Sequence, residues 1–338
     1  MKAVGSQKFS MRMIAIPLCA LLFALDGSAN AQQPVRDVRI GYLDNGTVAS
    51  NVELLEALRK RLSELGWTEG KNLTFEYRFG EGKGPGRLAE LAADLVRLNA
   101  DLIVVTSTSS ALAVKQATRS IPIVMAGAAD PVGQGIIASL ARPGGNITGL
   151  ANLAEDLGGK RLEILKEAIP RASLVAVFMG SERGRGVELQ AKLMKTAAPA
   201  LGLKLEMFGV TGEPQRLENA FQTVARNGFH ALITTSGAFM FAERKRIAIL
   251  AVKYRLPGIY PQKEFVEEGG LLSYGIDRPS QYRQAATYVD KILKGVKPAD
   301  LPVEQPKKFE FVINLKAAKQ IGLIIPPNVL ARADKVIK

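Results

Sequence analysis

Asp101-Leu-Ile-Val-Val-Thr106-Ser107-Thr108-Ser109-Ser110 reads as an apolar strand that runs into a hydroxyl-rich turn and then a helix. His230-Ala-Leu-Ile-Thr234-Thr235-Ser236-Gly237 repeats the pattern later in the chain. In open α/β sheets, ligands sit beyond the carboxyl ends of strands, where helix N-termini offer free backbone N–H groups. Two such corners imply two similar lobes facing one ligand.

The flanking sequence fits this reading. Residues 38–43 form a first strand, which leads through Asp44-Asn45-Gly46-Thr47 into a helix with Leu55, Leu58, Leu62 and Leu65 on one face, stopped by Gly66. Strands at 72–78, 102–105, 121–125 and 147–150 alternate with helices, the signature of parallel βαβ units in a doubly wound sheet. The pattern then restarts. A helix over 156–169 ends at Pro170, and strands follow at 174–178, 203–208, 231–234, 258–260 and 271–274. A helix after Asp277, the stiff Pro298-Ala-Asp300-Leu-Pro302 segment, a strand at 309–313 and a helix after Asn314 finish the chain. The fold class is therefore α/β, two doubly wound parallel-sheet lobes joined by a hinge.

Lys2, Lys8 and Arg12 precede an apolar run from Met13 to Leu25, and Ser28-Ala29-Asn30-Ala31 follows. These are the three parts of a secretory signal, with cleavage expected after Ala31. Cys19, the only cysteine, lies inside the apolar run, so the mature chain is expected to lack disulfides, thiolate metal sites and cysteine nucleophiles. The net charge of +13 is dispersed and aromatics make up 6%, which is not the patch of a nucleic-acid binder.

His230 is the only histidine, so a histidine-based triad and a multi-histidine metal site are unavailable. Gly80-Glu-Gly82-Lys-Gly84-Pro85-Gly86 carries proline where a dinucleotide fingerprint needs glycine, and reads as a turn. The adjacent carboxylates Glu155/Asp156 point about 100° apart on a helix and do not converge. No catalytic residue, metal site or cofactor is expected.

Binding chemistry is better represented. Thr106, Ser107 and Thr108 place hydroxyls at a strand end, with Ser109 or Ser110 free to cap the helix. Thr235 and Ser236 offer the same groups from the second lobe, and Thr47 joins them from the turn after the first strand. Asp130 and Asp277 each fit two roles, a partner for a ligand ammonium or the N-cap of the next helix. Tyr260, at a strand end, fits either stacking on a ligand or packing between lobes.

Several strings resemble the substrate-binding proteins of ABC importers of the tryptophan/tyrosine-transport type. They are Leu65-Gly-Trp-Thr-Glu-Gly-Lys-Asn-Leu73, Asp130-Pro-Val-Gly133, Ser139-Leu-Ala-Arg-Pro-Gly-Gly-Asn-Ile-Thr-Gly149 and Tyr288-Val-Asp-Lys-Ile-Leu-Lys-Gly295. The resemblance implies a periplasmic-binding-protein type I-like fold with three crossings. Lobe 1 would comprise residues 35–149 and 278–305, and lobe 2 residues 150–277 and 306–338. It also implies a monomer in the periplasm that binds a small carboxylated molecule, an amino acid or a relative, and delivers it to an ABC permease in the inner membrane. The family's cleft positions fall on Thr106 to Thr108, Asp130, Thr235-Ser236 and Asp277. Members that bind aromatic amino acids often carry Thr-Asp-Asn where Thr235-Ser236-Gly237 stands, and Tyr-Tyr where Arg278-Pro279 stands. Arg278 beside the cleft points to a more acidic ligand. The alternatives are a sensor-linked binding protein of the same fold and an exported α/β hydrolase.

Overall fold

The computed structural model describes Met1 and residues 37–152, 157–180, 185–210 and 214–338. The expected export signal, with Cys19, and the Glu155/Asp156 pair lie outside the described residues.

The first sheet contains β1 (Val38–Asp44), β2 (Leu73–Phe79), β3 (Leu102–Val105), β4 (Ile123–Ala129) and β5 (Ile147–Asn152), all parallel, in the order β2-β1-β3-β4-β5. Central parallel strands are covered on both faces and so read as continuous apolar runs. All four residues of β3 are fully buried. α1 (Val52–Glu64), α2 (Pro85–Arg97) and α3 (Thr108–Ala117) make the crossovers. On one face, Ile40 and Tyr42 meet the Leu54, Leu55, Leu58 and Leu62 stripe of α1. On the other, Ile103 and Val105 meet Leu88, Leu91 and Leu95 of α2 and Val114 of α3. Each buried leucine contributes about 1.5–3 kcal/mol. A helix as short as α1 is marginal alone, so this stripe is what holds it.

The second sheet has the order β12-β11-β10-β9-β8-β6-β7, with β6 (Leu174–Gly180), β7 (Lys204–Val210), β8 (Ala231–Thr234), β9 (Gly258–Tyr260), β10 (Leu272–Ile276), β11 (Phe309–Asn314) and β12 (Lys335–Ile337). Its pairs are parallel except β10–β11, where the chain arrives from the opposite direction. α4 (Leu157–Ala168) and α5 (Arg185–Ala197) lie on one face. α6 (Pro214–Arg226), α7 (Ala238–Ala242), α8 (Arg244–Lys253) and α9 (Lys263–Glu267) lie on the other. α10 (Arg278–Leu293) returns to the first lobe, where it packs on α1, β4 and β5 and buries Tyr282, Ala285, Ala286 and Val289. α11 (Leu315–Ile321) and α12 (Pro327–Leu330) complete the α4 face.

The chain passes between the two sheets after β5, between β10 and α10, and before β11, and these passages are tied side by side. Thr148 Oγ1 donates to Leu301 O at 2.6 Å, Tyr288 Oη to Pro302 O at 2.6 Å, and Gln281 Nε2 to Ala151 O at 3.0 Å. Asp277 N donates to Lys308 O at 3.1 Å. A pocket of about 230 Å³ opens here, lined by Leu150, Ile276, Gln281, Glu304 and Lys308 among others.

Candidate functional site

In the first sheet the chain runs from β1 out to β2 and returns to β3 on the other side of β1, so the strand order reverses between β1 and β3. The second sheet reverses in the same way between β6 and β8. Loops leaving the carboxyl ends of strands at a reversal diverge and leave a crevice, the usual ligand position in open α/β sheets. Both hydroxyl corners stand at such reversals.

At the first, Asp44 ends β1 and is nearly buried, at 8% exposure. Its Oδ1 accepts from Gly46 N at 2.5 Å and Asn51 Nδ2 at 2.9 Å, and its Oδ2 accepts from the Thr106 hydroxyl across the reversal. Ser107 is the N-cap of α3, accepting from Ser110 N at 3.2 Å in a capping box. Thr108 turns toward the neighbouring strand, donating to Ala129 O at 3.1 Å and accepting from Ala129 N at 3.0 Å. Thr47 is exposed and bonded to Ser50. Asp130 adopts φ +39° and accepts from Gly133 N at 2.9 Å. A Cβ at Gly133 would come within 2.1 Å of Asp130 Oδ2, which explains the glycine of the Asp-Pro-Val-Gly string. Thr47, Thr106, Ser107, Thr108 and Asp130 thus share one edge of the first sheet.

At the second reversal, Thr235 is fully buried and its N–H donates to Phe178 O in β6 at 3.0 Å. Ser236 N donates to Gln190 Oε1 at 2.8 Å, while Ser236 Oγ is buried without a partner. The structure does not bring Tyr260 to this edge. Its ring is fully buried and stacks on Phe265 at 4.8 Å. The room comes from missing side chains, since a Cβ at Gly258 or Gly270 would lie 2.4 or 2.5 Å from the ring or its hydroxyl. Burial pushes the Tyr260 phenol up, and its hydroxyl has no partner.

Asp277 caps α10, accepting from Ser280 N at 3.0 Å, and pairs with Lys308 at 2.6 Å. Burial alone would raise its pKa, but the Lys308 ammonium and the Ser280 N–H outweigh that and hold it below the usual range. The next residue reaches between the lobes. Arg278 faces Glu264 at 3.8 Å and lies 5.8 Å from the Phe241 ring, both in the second lobe. Its charge is also felt by Tyr42, Tyr282 and Asp44 of the first. Burial would lower its pKa, yet the neighbouring Tyr282, Glu264 and Asp44 raise it, so the guanidinium stays cationic. Tyr282, one turn on along the same face of α10, is buried beside Arg278 and Tyr42. A second interlobe contact, Lys263 Nζ to Glu53 Oε1 at 2.6 Å, joins α9 to the first turn of α1.

Sequence reading passed over Asp44, Asn51 and Tyr282. Asp44 was visible as an acid at a strand end beside a reversal. Tyr282 was visible only through its helical spacing from Arg278.

The sequence model of the ABC transporter substrate binding proteins matches residues 49–337. A tyrosine-binding protein of Clostridioides difficile (strain R20291) is 25% identical over 265 residues, 78% of this chain and 75% of that one. Among solved structures, the ABC domain from Streptococcus pneumoniae in complex with L-Trp superposes with a TM-score of 0.79 at 26% identity, covering 89% of this chain and all of that one. A conserved domain protein from Vibrio cholerae does so with a TM-score of 0.79 at 29% identity and the same coverage. With the sequence model spanning most of its length and the two reversals in place, this chain belongs to the ABC transporter substrate-binding protein family.

Proposed function

We propose that this protein is the periplasmic solute-binding component of an ABC importer, closing on a small carboxylated molecule, an amino acid or a close relative, and presenting it to an inner-membrane permease. The observation that carries the reading is the pair of reversals. Each sets a threonine beside an earlier strand of its sheet and leaves a polar atom buried without a partner, Asn45 Oδ1 in one lobe and Ser236 Oγ in the other. Buried polar groups are nearly always hydrogen-bonded, so unmet ones at an interlobe edge favour a ligand that completes them. The L-Trp complex and the tyrosine-binding relative support an amino acid or a molecule of that size. Thr106 to Thr108, Thr235 and Ser236 are assigned to ligand or to its immediate support, with Thr47, Asp130 and Asp277 at the rim.

Thermal-shift screening of amino acids and organic acids tests this reading. A ligand at 100 times its dissociation constant stabilises by about 2.7 kcal/mol. Ser236→Ala and Thr106→Ala are each expected to weaken a confirmed ligand by about tenfold, the value of one hydrogen bond in a dry site. Unchanged affinity in both variants would move the site elsewhere. ATPase stimulation of the neighbouring transporter in proteoliposomes, present only with the ligand-loaded protein, tests the importer role.

A further inference from the structure

The cleft lies at the carboxyl ends of the parallel strands, and the opposite edge of the sheets sets the two lobes apart by charge. Residues 37–152 and 278–305, which build the first lobe, carry 17 basic and 15 acidic side chains. Residues 153–277 and 306–338, which build the second, carry 24 and 16. Much of that surplus gathers where the second sheet's parallel strands begin. Backbone contacts join neighbouring strand starts there into one line. Lys204 N donates to Ser173 O at 2.7 Å, His230 Nδ1 accepts from Ser173 N and Leu174 N at 3.2 Å, and Leu232 N donates to Pro257 O at 2.8 Å. β11 runs antiparallel, so its far end joins the same edge, with Asn314 N donating to Leu271 O at 2.9 Å. With strands about 4.8 Å apart, the line from β7 to β11 runs roughly 24 Å. Exposed bases flank it. Arg171 precedes β6, Lys204 opens β7, Arg255 precedes β9 and Lys316 follows β11, while Lys195 and Arg226 close α5 and α6. The acids at this end, Glu167, Glu218 and Glu267, are held by Arg332, Lys253 and Lys335, which leaves those six bases without a carboxylate among the described residues. Glu206, two residues into β7, is the exception. The same edge of the first lobe is balanced, because Asp37 precedes β1, Asp101 precedes β3, and the helix-end bases Arg61 and Arg97 pair with Glu64 and Asp94.

We propose that this end of the second lobe is a docking surface for an anionic phospholipid bilayer, which holds the protein loosely and reversibly at the membrane. Clusters of about four to eight Lys and Arg bind anionic headgroups in this way. Long basic side chains spread over a broad edge meet the dispersed charge of a bilayer without needing a shaped groove. A single-stranded nucleic acid would need aromatic platforms for its bases, and the aromatic side chains here are already used. Phe229 is buried against Phe208, and Tyr254 stacks on Phe221. The surface lies at the end of the strands opposite the hydroxyl corners, so a bilayer held there leaves the cleft open. Attachment of this kind would confine the search for a membrane partner to the plane of the membrane, but its test needs no solute and does not depend on the importer reading.

Vesicle flotation of the full chain tests the surface. Wild type is compared with Arg171→Glu/Lys204→Glu/Arg226→Glu/Arg255→Glu and with Lys60→Glu/Lys71→Glu/Arg119→Glu/Arg142→Glu, which changes four exposed first-lobe bases by the same total charge. The residues before Asp37 are common to all three proteins and cancel in the comparison. On phosphatidylcholine vesicles with about 30% phosphatidylglycerol, wild type is expected to bind at least tenfold more tightly than on phosphatidylcholine alone, and to lose that gain between about 50 and 300 mM salt. The second-lobe variant should lose at least tenfold in affinity and the first-lobe variant no more than about threefold. Circular dichroism checks folding, and Arg171→Gln/Lys204→Gln/Arg226→Gln/Arg255→Gln, which removes the charge without reversing it, should lose part of the same affinity. Equal losses in the two glutamate variants assign the binding to net charge and overturn the surface. Indifference to phosphatidylglycerol overturns it as well. Tighter capture of duplex DNA than of these vesicles, lost in the second-lobe variant alone, gives the surface to nucleic acid and overturns the bilayer.

Discussion

Gly149 adopts φ +124°, and a Cβ there would lie 2.3 Å from Met125 O and 2.6 Å from Met125 N. Neither atom can yield, because both belong to the strand that β5 pairs with. Gly149→Ala should therefore destabilise by about 3 kcal/mol or more, read as a lower urea midpoint. Arg161 poses the opposite problem. It is 1% exposed, donates from Nε to Tyr274 O at 2.8 Å, and its Nη2 has no partner. Burial pulls its pKa down to about 10. The unfolded chain keeps that proton to higher pH, so the folded state is penalised below about pH 10 and the penalty fades as pH rises above that. Arg161→Met should leave stability at pH 7 unchanged or raise it by about 1–2 kcal/mol, and a lower thermal midpoint would contradict that account. At this scale the sequence exposed part of the candidate site. The hydroxyls of Thr106 to Ser110 were legible because strand ends and caps are local. The engagement of Thr108 with Ala129, and the two glycines that admit Tyr260 to the core, depend on neighbours distant in sequence.

α10 begins with Asp277 as N-cap and proline in its first turn, both readable in advance. The ion pair to Lys308 was not, because it joins two passages that only the fold brings together. Asp277→Asn keeps a capping oxygen and removes the charge, while Asp277→Ala removes both. The alanine variant should lose about 1 kcal/mol more than the asparagine one by chemical denaturation. The pKa of Asp277 is depressed, so its contribution is present above about pH 4 and is lost as pH falls through the lower folded value. Asp277→Asn should remove that part of the acid slope. The long elements were legible because apolar residues recur at helical or strand spacing over many positions. β12, three residues of Lys-Val-Ile, and the four-residue α12 were not, since so few residues establish no period. The antiparallel entry of β11 was equally silent, because pairing direction leaves no mark on a buried strand's pattern.

The two lobes meet through Arg278 and through Lys263–Glu53. Glu53 is more than half exposed, so the pair is worth at most about 1 kcal/mol and weakens with salt. Glu53→Gln should shift the protein toward the open arrangement, seen as a larger radius of gyration by small-angle scattering without ligand. It should also weaken a confirmed ligand by no more than about fivefold. Identical scattering curves for wild type and variant, in low and high salt, would remove this contact from the closing equilibrium.

Neither lobe is continuous along the chain. The core of the first needs Tyr282, Ala285, Ala286 and Val289 from α10, which is made only after β6 to β10 of the second. The second in turn needs β11 and β12, the last of these at the very end of the sequence. A growing chain that stops at Asp277 holds no complete hydrophobic core, so both lobes reach their native state late and nearly together. The length of time spent unfolded during synthesis is thus written into the order of the strands, and a single truncation in the final segment reaches both halves of the molecule.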